Sequence, residues 1–317
     1  MSFTGGGSDL PTFYRKYGGA VISTSIDKYL YVNVNKKFDS GIRIAYSKTE
    51  EVACVSDIQH RLVRASLEYL GLKGGIEITT IADIPSKGTG LGSSSSFTVG
   101  LLHALNAFMG RYVSSEQLGA SSCHIEIDLC NEPIGKQDQY AAAFGGFNLI
   151  EFNPDDSVVV SPIICRRDTM AEIEQNIIVF YTGITRSASD LLARQSEEIS
   201  RQDEKQQALR RMVALTYDLR RELQNNHTHA FGEILHENWV LKKSLTDAIS
   251  TSDIDEWYES ALRAGAIGGK ILGAGAGGFL MLYAPRTAQD AICKALSMLR
   301  QVDFKFEPLG SRIIFYH

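Results

Sequence analysis

Pro85-Ser-Lys-Gly-Thr-Gly-Leu-Gly-Ser-Ser-Ser-Ser96 carries the most specific chemistry in the chain. Glycines at 88, 90 and 92 let the backbone take positive φ and come close to a ligand. Phe97, Leu101, Leu105 and Phe108 recur every three or four residues directly afterwards, so the loop opens into a helix with a buried stripe. Free N–H groups and the positive dipole end at that helix start make a phosphate cradle, and the serine hydroxyls add donors. A plain solvent loop needs neither the proline at one end nor the buried helix at the other. Two better-known glycine patterns fail here. Gly135-Lys136 is followed by Gln137 and Gly269-Lys270 by Ile271, so neither completes a P-loop. Gly273-Ala-Gly-Ala-Gly-Gly278 matches the dinucleotide spacing but leads into the strand-like run Phe279-Leu-Met-Leu-Tyr, where a dinucleotide site requires a helix.

Glu126 and Asp138 form the second candidate constellation. Asp138 lies in the polar stretch Gly135-Lys-Gln-Asp-Gln139, followed by the small residues Ala141 to Ala143. A carboxylate beside a phosphate loop either accepts a hydroxyl proton or holds Mg²⁺, although spacing alone equally allows two surface charges. His227, His229 and His236 lack the second histidine of a zinc helix and read as helix surface. Cys54, Cys123, Cys130, Cys165 and Cys293 are odd in number and have no C-x-x-C spacing, as expected of reduced, buried thiols.

These groups must be held by a mixed fold. Residues 20–26, 29–34, 41–46, 76–81, 147–152, 177–181, 279–283 and 312–316 read as strands; 59–70, 97–108, 114–130 and 287–300 read as helices. Residues 186–250, charged with apolar residues at helical spacing, predict three helices, and another ends near Gly265. Ser114 and Gln117 have capping-box spacing. The 317 residues suit two domains, divided near the Asn153-Pro-Asp-Asp turn. A net charge of −5 supplies no general field for nucleic acid or anionic lipid. No apolar run approaches the length that crosses a bilayer, and no secretory signal is visible, so the expected location is the cytoplasm.

Three motifs occur in the order seen in the GHMP family of small-molecule kinases, which the chain resembles along nearly its whole length. They are Gly5-Gly-Gly-Ser-Asp9, Pro85 to Ser96, and Lys270-Ile-Leu-Gly-Ala-Gly-Ala-Gly-Gly-Phe279. Gly135-Lys-Gln-Asp-Gln-Tyr140, Tyr181-Thr-Gly-Ile-Thr-Arg-Ser-Ala188 and Trp239-Val-Leu-Lys-Lys243 look most like the branch that phosphorylates the anomeric hydroxyl of heptose 7-phosphate. The resemblance implies an α+β GHMP kinase fold: a ribosomal S5 domain 2-like ATP-binding domain over 1–160, with a left-handed crossover, and a ferredoxin-like domain over 161–317. ATP and Mg²⁺ are the implied cofactors, and a sugar or sugar phosphate the partner.

Carried over residue by residue, Asp138 is the catalytic aspartate. Lys87, Gly88, Thr89, Gly90, Leu91, Gly92, Ser93, Ser94 and Ser95 surround the ATP phosphates, and Ser94 with Glu126 holds Mg²⁺. Gly6, Gly7, Ser8, Asp9 and Gly275 face the sugar. Arg186 is the first candidate for the sugar's phosphate, with Arg15 and Lys16 second. In the family a basic residue precedes the Gly-Gly-Gly-Ser-Asp strand, and Met1 stands directly after that position. The expectation is a first strand cut short and low activity unless upstream residues are added. A kinase for a free sugar such as fucose or arabinose, or an impaired sugar- and nucleotide-binding regulator, remains open on sequence grounds.

Overall fold

Gly19–Ile26 is buried over its first six residues, and its near-continuous run Ala-Val-Ile-Ser-Thr suits a strand covered on both faces. The computed structural model describes residues 1–84, 90–185 and 188–316. In chain order the elements are β1 (Ser2–Thr4), α1 (Pro11–Tyr17), β2 (Gly19–Ile26), β3 (Leu30–Lys36), β4 (Ile42–Ala45), β5 (Thr49–Val52), α2 (Arg61–Leu70) and β6 (Ile76–Ala82). Then come α3 (Ser93–Phe108), α4 (Ser115–Cys123), α5 (Gln137–Phe144), β7 (Phe147–Phe152), β8 (Val158–Pro162), α6 (Arg167–Asn176) and β9 (Ile177–Tyr181). The remainder is α7 (Ala188–Arg201), α8 (Asp203–Gln224), α9 (His229–Ser244), α10 (Ser252–Arg263), β10 (Gly268–Ile271), β11 (Phe279–Tyr283), α11 (Arg286–Ala295), β12 (Arg300–Gln301) and β13 (Phe306–Glu307).

Three sheets result. The first has the order β1-β2-β7-β8, with β13 joining β2 beyond β1; the second is β3-β6-β4-β5, and the third β10-β11-β9-β12. Their pairings are antiparallel except for β4 with β6, which run parallel and are connected through β5 and α2. The middle sheet is backed by α2 and α3, whose Leu67 and Leu101 pack against Ile44 and Ile78. The first and third sheets share a core with the C-terminal helices: Phe3, Ile22 and Leu149 meet Leu219, Phe231 and Met281. A division near residue 160 remains our proposal for the two halves. β8 continues to Pro162, and β13 returns from the far end of the chain to the first sheet.

The capping box of α4 is present with both of its bonds, Ser114 and Gln117 each satisfying the other's backbone N–H. α2 stops at Gly71, which takes the left-handed conformation that glycine adopts without a Cβ penalty. Three differences from the sequence reading matter. The helix expected to run to Cys130 is α-helical only to Cys123 and then π-helical over His124–Leu129. Residues 312–316, expected as a strand, are not one; the late strands are β12 and β13 instead. Ser2–Thr4, outside the ranges read as strands, form a strand of three residues that pairs with Ile22 and Ser23 of β2. All five cysteines are unpaired, but only Cys123 and Cys130 are fully buried. Among the described residues no helix is long and apolar enough to cross a membrane.

Candidate active site

The second glycine-rich motif leaves its loop at Gly92 (φ 69°) and enters α3 at Ser93. Gly90 (φ 73°) lies so close to Leu272 that an added Cβ would stand 2.4 Å from its carbonyl oxygen, and Gly273 would clash with Gly90 in turn. The third motif is therefore a backing for the second, possible only because both chains lack side chains there. A Cβ at Gly92 would meet the Asp138 carboxylate at 3.2 to 3.3 Å, which places that carboxylate over the start of α3. Lys87, Gly88, Thr89 and Arg186 lie outside the described residues.

Asp138 sits in the first turn of α5 and faces a cavity of about 930 Å³. Gly90, Leu91, Gly92, Ser93 and Gln137 line that end of it. Enclosing protein pushes the Asp138 pKa up, to about 6, and the charge of Asp9 adds to the push while the Met1 ammonium group and then Lys270 oppose it. The side chain is nevertheless open to the cavity, and water there screens part of the effect.

Glu126 is wholly buried in the π-helical stretch, whose wider turn is visible in the Cys130 N–H reaching back five residues to the Ile125 carbonyl. Its Oε2 accepts from Ser95 Oγ at 3.1 Å and Gln139 Nε2 at 3.0 Å. Thr98 stands close to the same carboxylate while donating to the Ser94 carbonyl at 3.2 Å. Burial drives the Glu126 pKa up to about 7 against these hydrogen bonds. Its Oε1 has no hydrogen-bond partner among the described residues. An orphaned carboxylate oxygen beside a phosphate cradle fits a hard divalent cation, which takes few protein ligands and completes its shell with phosphate and water. The hydroxyl on Glu126 is that of Ser95; Ser94 is exposed.

The Gly5 to Asp9 loop is held from behind. Asp9 is 2% exposed and accepts from the Gly7 N–H at 3.0 Å and the Gln137 N–H at 3.1 Å, tying the loop to the start of α5. Burial raises its pKa, with those two N–H groups and Lys242 pulling the other way. Ser8 Oγ exchanges hydrogen bonds with the Ala20 backbone at 3.1 Å. Asn238 of α9 accepts from the Gly5 N–H at 3.1 Å, and Lys242 donates to the Gly6 carbonyl at 3.0 Å and to Gln195 at 3.1 Å. Gly275 packs against Ile249, and Arg15 pairs with Asp156 at 3.1 Å.

Lys242 and Lys270 escaped the sequence reading, although both lie inside stretches it singled out. Lys270, 2% exposed, donates to the Ser2 carbonyl at 2.9 Å. Burial lowers the Lys270 pKa to about 7, with Lys242 lowering it further and Asp138 raising it; burial lowers Lys242 to about 8, with Asp9 opposing. Asp9 and Asp138 thus share their surroundings with Lys242, Lys270 and the Met1 ammonium group, and these opposite charges offset part of one another's cost of burial.

A glycine-wedged loop opening into α3, a carboxylate open to the adjoining cavity and a buried carboxylate with one oxygen left without a partner form an arrangement suited to phosphoryl transfer. Models for the GHMP kinases N terminal domain and the GHMP kinases C terminal region match residues 57–146 and 219–299, together more than half the chain, and this chain belongs to the GHMP kinase family. It is 29% identical to a D-glycero-alpha-D-manno-heptose 7-phosphate kinase from Campylobacter jejuni, over 93% of this chain and 90% of that protein. It is 25% identical to an L-fucokinase/L-fucose-1-P guanylyltransferase from Bacteroides fragilis over 90% of this chain but 34% of that one. Among solved structures, a D-glycero-D-manno-heptose 1-phosphate kinase from Bacteroides thetaiotaomicron superposes with a TM-score of 0.80 at 26% identity, covering 98% and 94% of the two chains. The mevalonate kinase of L. major, at 18% identity and a TM-score of 0.71, shares the fold.

Proposed function

We propose that this kinase transfers the γ-phosphoryl group of ATP to the anomeric hydroxyl of a heptose 7-phosphate. The observation that carries this reading is Asp138, held over the start of α3 and open to the cavity. The N–H groups at the start of α3 and the residues Gly90 to Ser93 receive the phosphates. The carboxylate of Asp138 orients the sugar hydroxyl and takes its proton as the oxygen attacks phosphorus. The loop from Gly6 to Asp9, fixed by Asn238 and Lys242, borders the sugar. Glu126 with Ser94 or Ser95 would hold Mg²⁺, which when bound neutralises charge on the phosphates. Lys270 supplies a positive charge near Asp138 from within the protein.

The test is a substrate panel with coupled detection of ADP. Heptose 7-phosphate should be turned over with at least tenfold higher kcat/KM than any free sugar. A preference for fucose would favour the second reading, a free-sugar kinase, which draws on the match to the Bacteroides fragilis fucokinase. We further propose Arg186 as the partner of the sugar phosphate: Arg186→Ala should raise KM for the sugar phosphate and leave a free sugar unaffected.

A further inference from the structure

We propose that Gln195 of α7 and Lys242 of α9 are a positioning pair that seats the Gly5 to Asp9 loop for the acceptor sugar, which makes α7 part of the sugar end of the site. The inference rests on the reading that this loop borders the sugar.

Among the described residues of α7 the buried ones are Leu191, Gln195 and Ile199, at every fourth position and therefore on one face. A leucine at 195 would fill that stripe at no polar cost, whereas a glutamine at its centre needs partners. Only its oxygen has one. Gln195 Oε1 accepts from Lys242 Nζ at 3.1 Å, and the same ammonium group donates to the Gly6 carbonyl at 3.0 Å. Gln195 Nε2 is enclosed and has no hydrogen-bond partner among the described residues. A buried amide left half satisfied costs stability, and packing two helices together does not require it. The amide lies against Gly7 (φ 102°), where an added Cβ would stand 2.4 Å from Gln195 Nε2 and 3.2 Å from Lys242 Nζ. Glycine at that position is what lets the pair come so close to the loop.

α7 is fastened on both sides of the pair to segments that lead to the reacting groups. At its start Ser189 Oγ donates to Glu132 at 2.8 Å, in the stretch that leads into α5 and Asp138. Beyond Gln195, Ser196 Oγ shares a hydrogen bond of 2.9 Å with Thr12 Oγ1 of α1, the helix that follows the loop. Glu198 accepts from Thr246, just past α9, at 2.8 Å. The loop is thus gripped between α7 and α9: Asn238 takes the Gly5 N–H, Lys242 the Gly6 carbonyl, and Gln195 covers Gly7. These contacts hold Gly6 and Gly7, not Gly90 to Ser93. The pair therefore acts on the sugar rather than on the nucleotide.

Steady-state kinetics on variants of the full chain, with a melting temperature for each, test this. Gln195→Leu removes the amide and keeps apolar bulk; KM for heptose 7-phosphate should rise about tenfold, the scale of one lost hydrogen bond, while KM for ATP and kcat change less than about threefold. Gln195→Glu keeps an oxygen acceptor for Lys242 and should bring KM for the sugar back to within about threefold of the unaltered enzyme. Lys242→Met should raise KM for the sugar at least as much as Gln195→Leu does. The double variant should then be no worse than Lys242→Met alone, because both changes break one link. An unchanged KM for the sugar in Gln195→Leu, an equal rise in KM for ATP, no recovery in Gln195→Glu, or effects that simply add in the double variant overturns the proposal. A lower melting temperature with both KM values unchanged assigns the pair to stability alone and also overturns it. If the unaltered enzyme prefers fucose, the heptose reading fails while the pair stands or falls by the same measurements made with fucose. An unaltered chain that turns over neither sugar removes both.

Discussion

At one end of the cavity, Asp138, Gln137 and Gly90 to Ser93 stand in front of two ammonium groups that solvent hardly reaches, Lys270 and Lys242 being 2% and 4% exposed. At the other end, Tyr31, Phe315 and Tyr316 present ring surface to water. The first end is finished before any ligand arrives: its charges are compensated, its backbone is wedged glycine against glycine, and little has to move when charge develops. The second end is left uncovered, and a ligand would complete it by burying apolar surface. The contrast separates rate from affinity. Changes at the polar end should appear in kcat, and changes at the apolar end in KM.

The largest effect expected from this contrast is at Asp138. Asp138→Asn should bind ATP as before and lose roughly 10²- to 10⁴-fold in kcat, the range supplied by a positioned proton acceptor. Isothermal titration alongside single-turnover kinetics checks both halves; an undiminished rate removes Asp138 from the chemistry. The raised pKa of the unaltered residue gives the sign of the pH dependence. The carboxylate takes up a proton as pH falls through about 6, so kcat should decline on the acid side.

Next in size is Lys270→Met. Without the cation Asp138 is harder to ionise, so kcat should fall about tenfold near neutrality and the acid limb should move to higher pH, with Lys270→Arg restoring the limb. A purely structural lysine would leave the limb where it was. Stability should also report this residue. Its pKa is lowered in the folded chain to about 7 from 10.5, so the unfolded chain binds more protons between those values and stability from this group rises with pH across that window. Thermal unfolding at pH 7 and pH 9 should show that rise in the unaltered protein and a smaller one in Lys270→Met.

The smallest expected effect belongs to Arg15. Its guanidinium is 59% exposed and already paired with Asp156, so Arg15→Ala should change KM for either substrate less than twofold. A larger rise for the sugar phosphate would move the phosphate partner from Arg186 to Arg15.

What the sequence reveals of this site is its local part. The phosphate cradle, the α4 capping box and Asp138 are legible because each is written in residues a few positions apart. The support of the Gly5 to Asp9 loop is not, because Lys242 and Asn238 reach it across more than 230 residues and spacing carries no distances of that kind. Lys270 reads as the start of a glycine motif, and only the fold turns it toward Ser2. The π-helical turn that carries Glu126 has the same apolar periodicity as an ordinary helix and differs by one reach of the backbone. Arg312–Tyr316 has the β-branched and aromatic residues of a strand, but strand propensity expresses a fit to a pleated, half-buried surface, and Ile314, Phe315 and Tyr316 stand exposed beyond the contact of Ser311 with α3 and α5.

The pairing of β13 with the end of β2 sets an order of events during synthesis. Ser25 and Ile26 leave the ribosome about 280 residues ahead of their partners Glu307 and Phe306. Contacts that close so long a loop are slow to form. The strip of β2 next to Asp27 therefore waits, unpaired on that side, until those partners emerge. The segment that follows β13 reaches α3 and α5 only after that strand has been made, so the contacts of Ser311 with Ala142 and His103 form late.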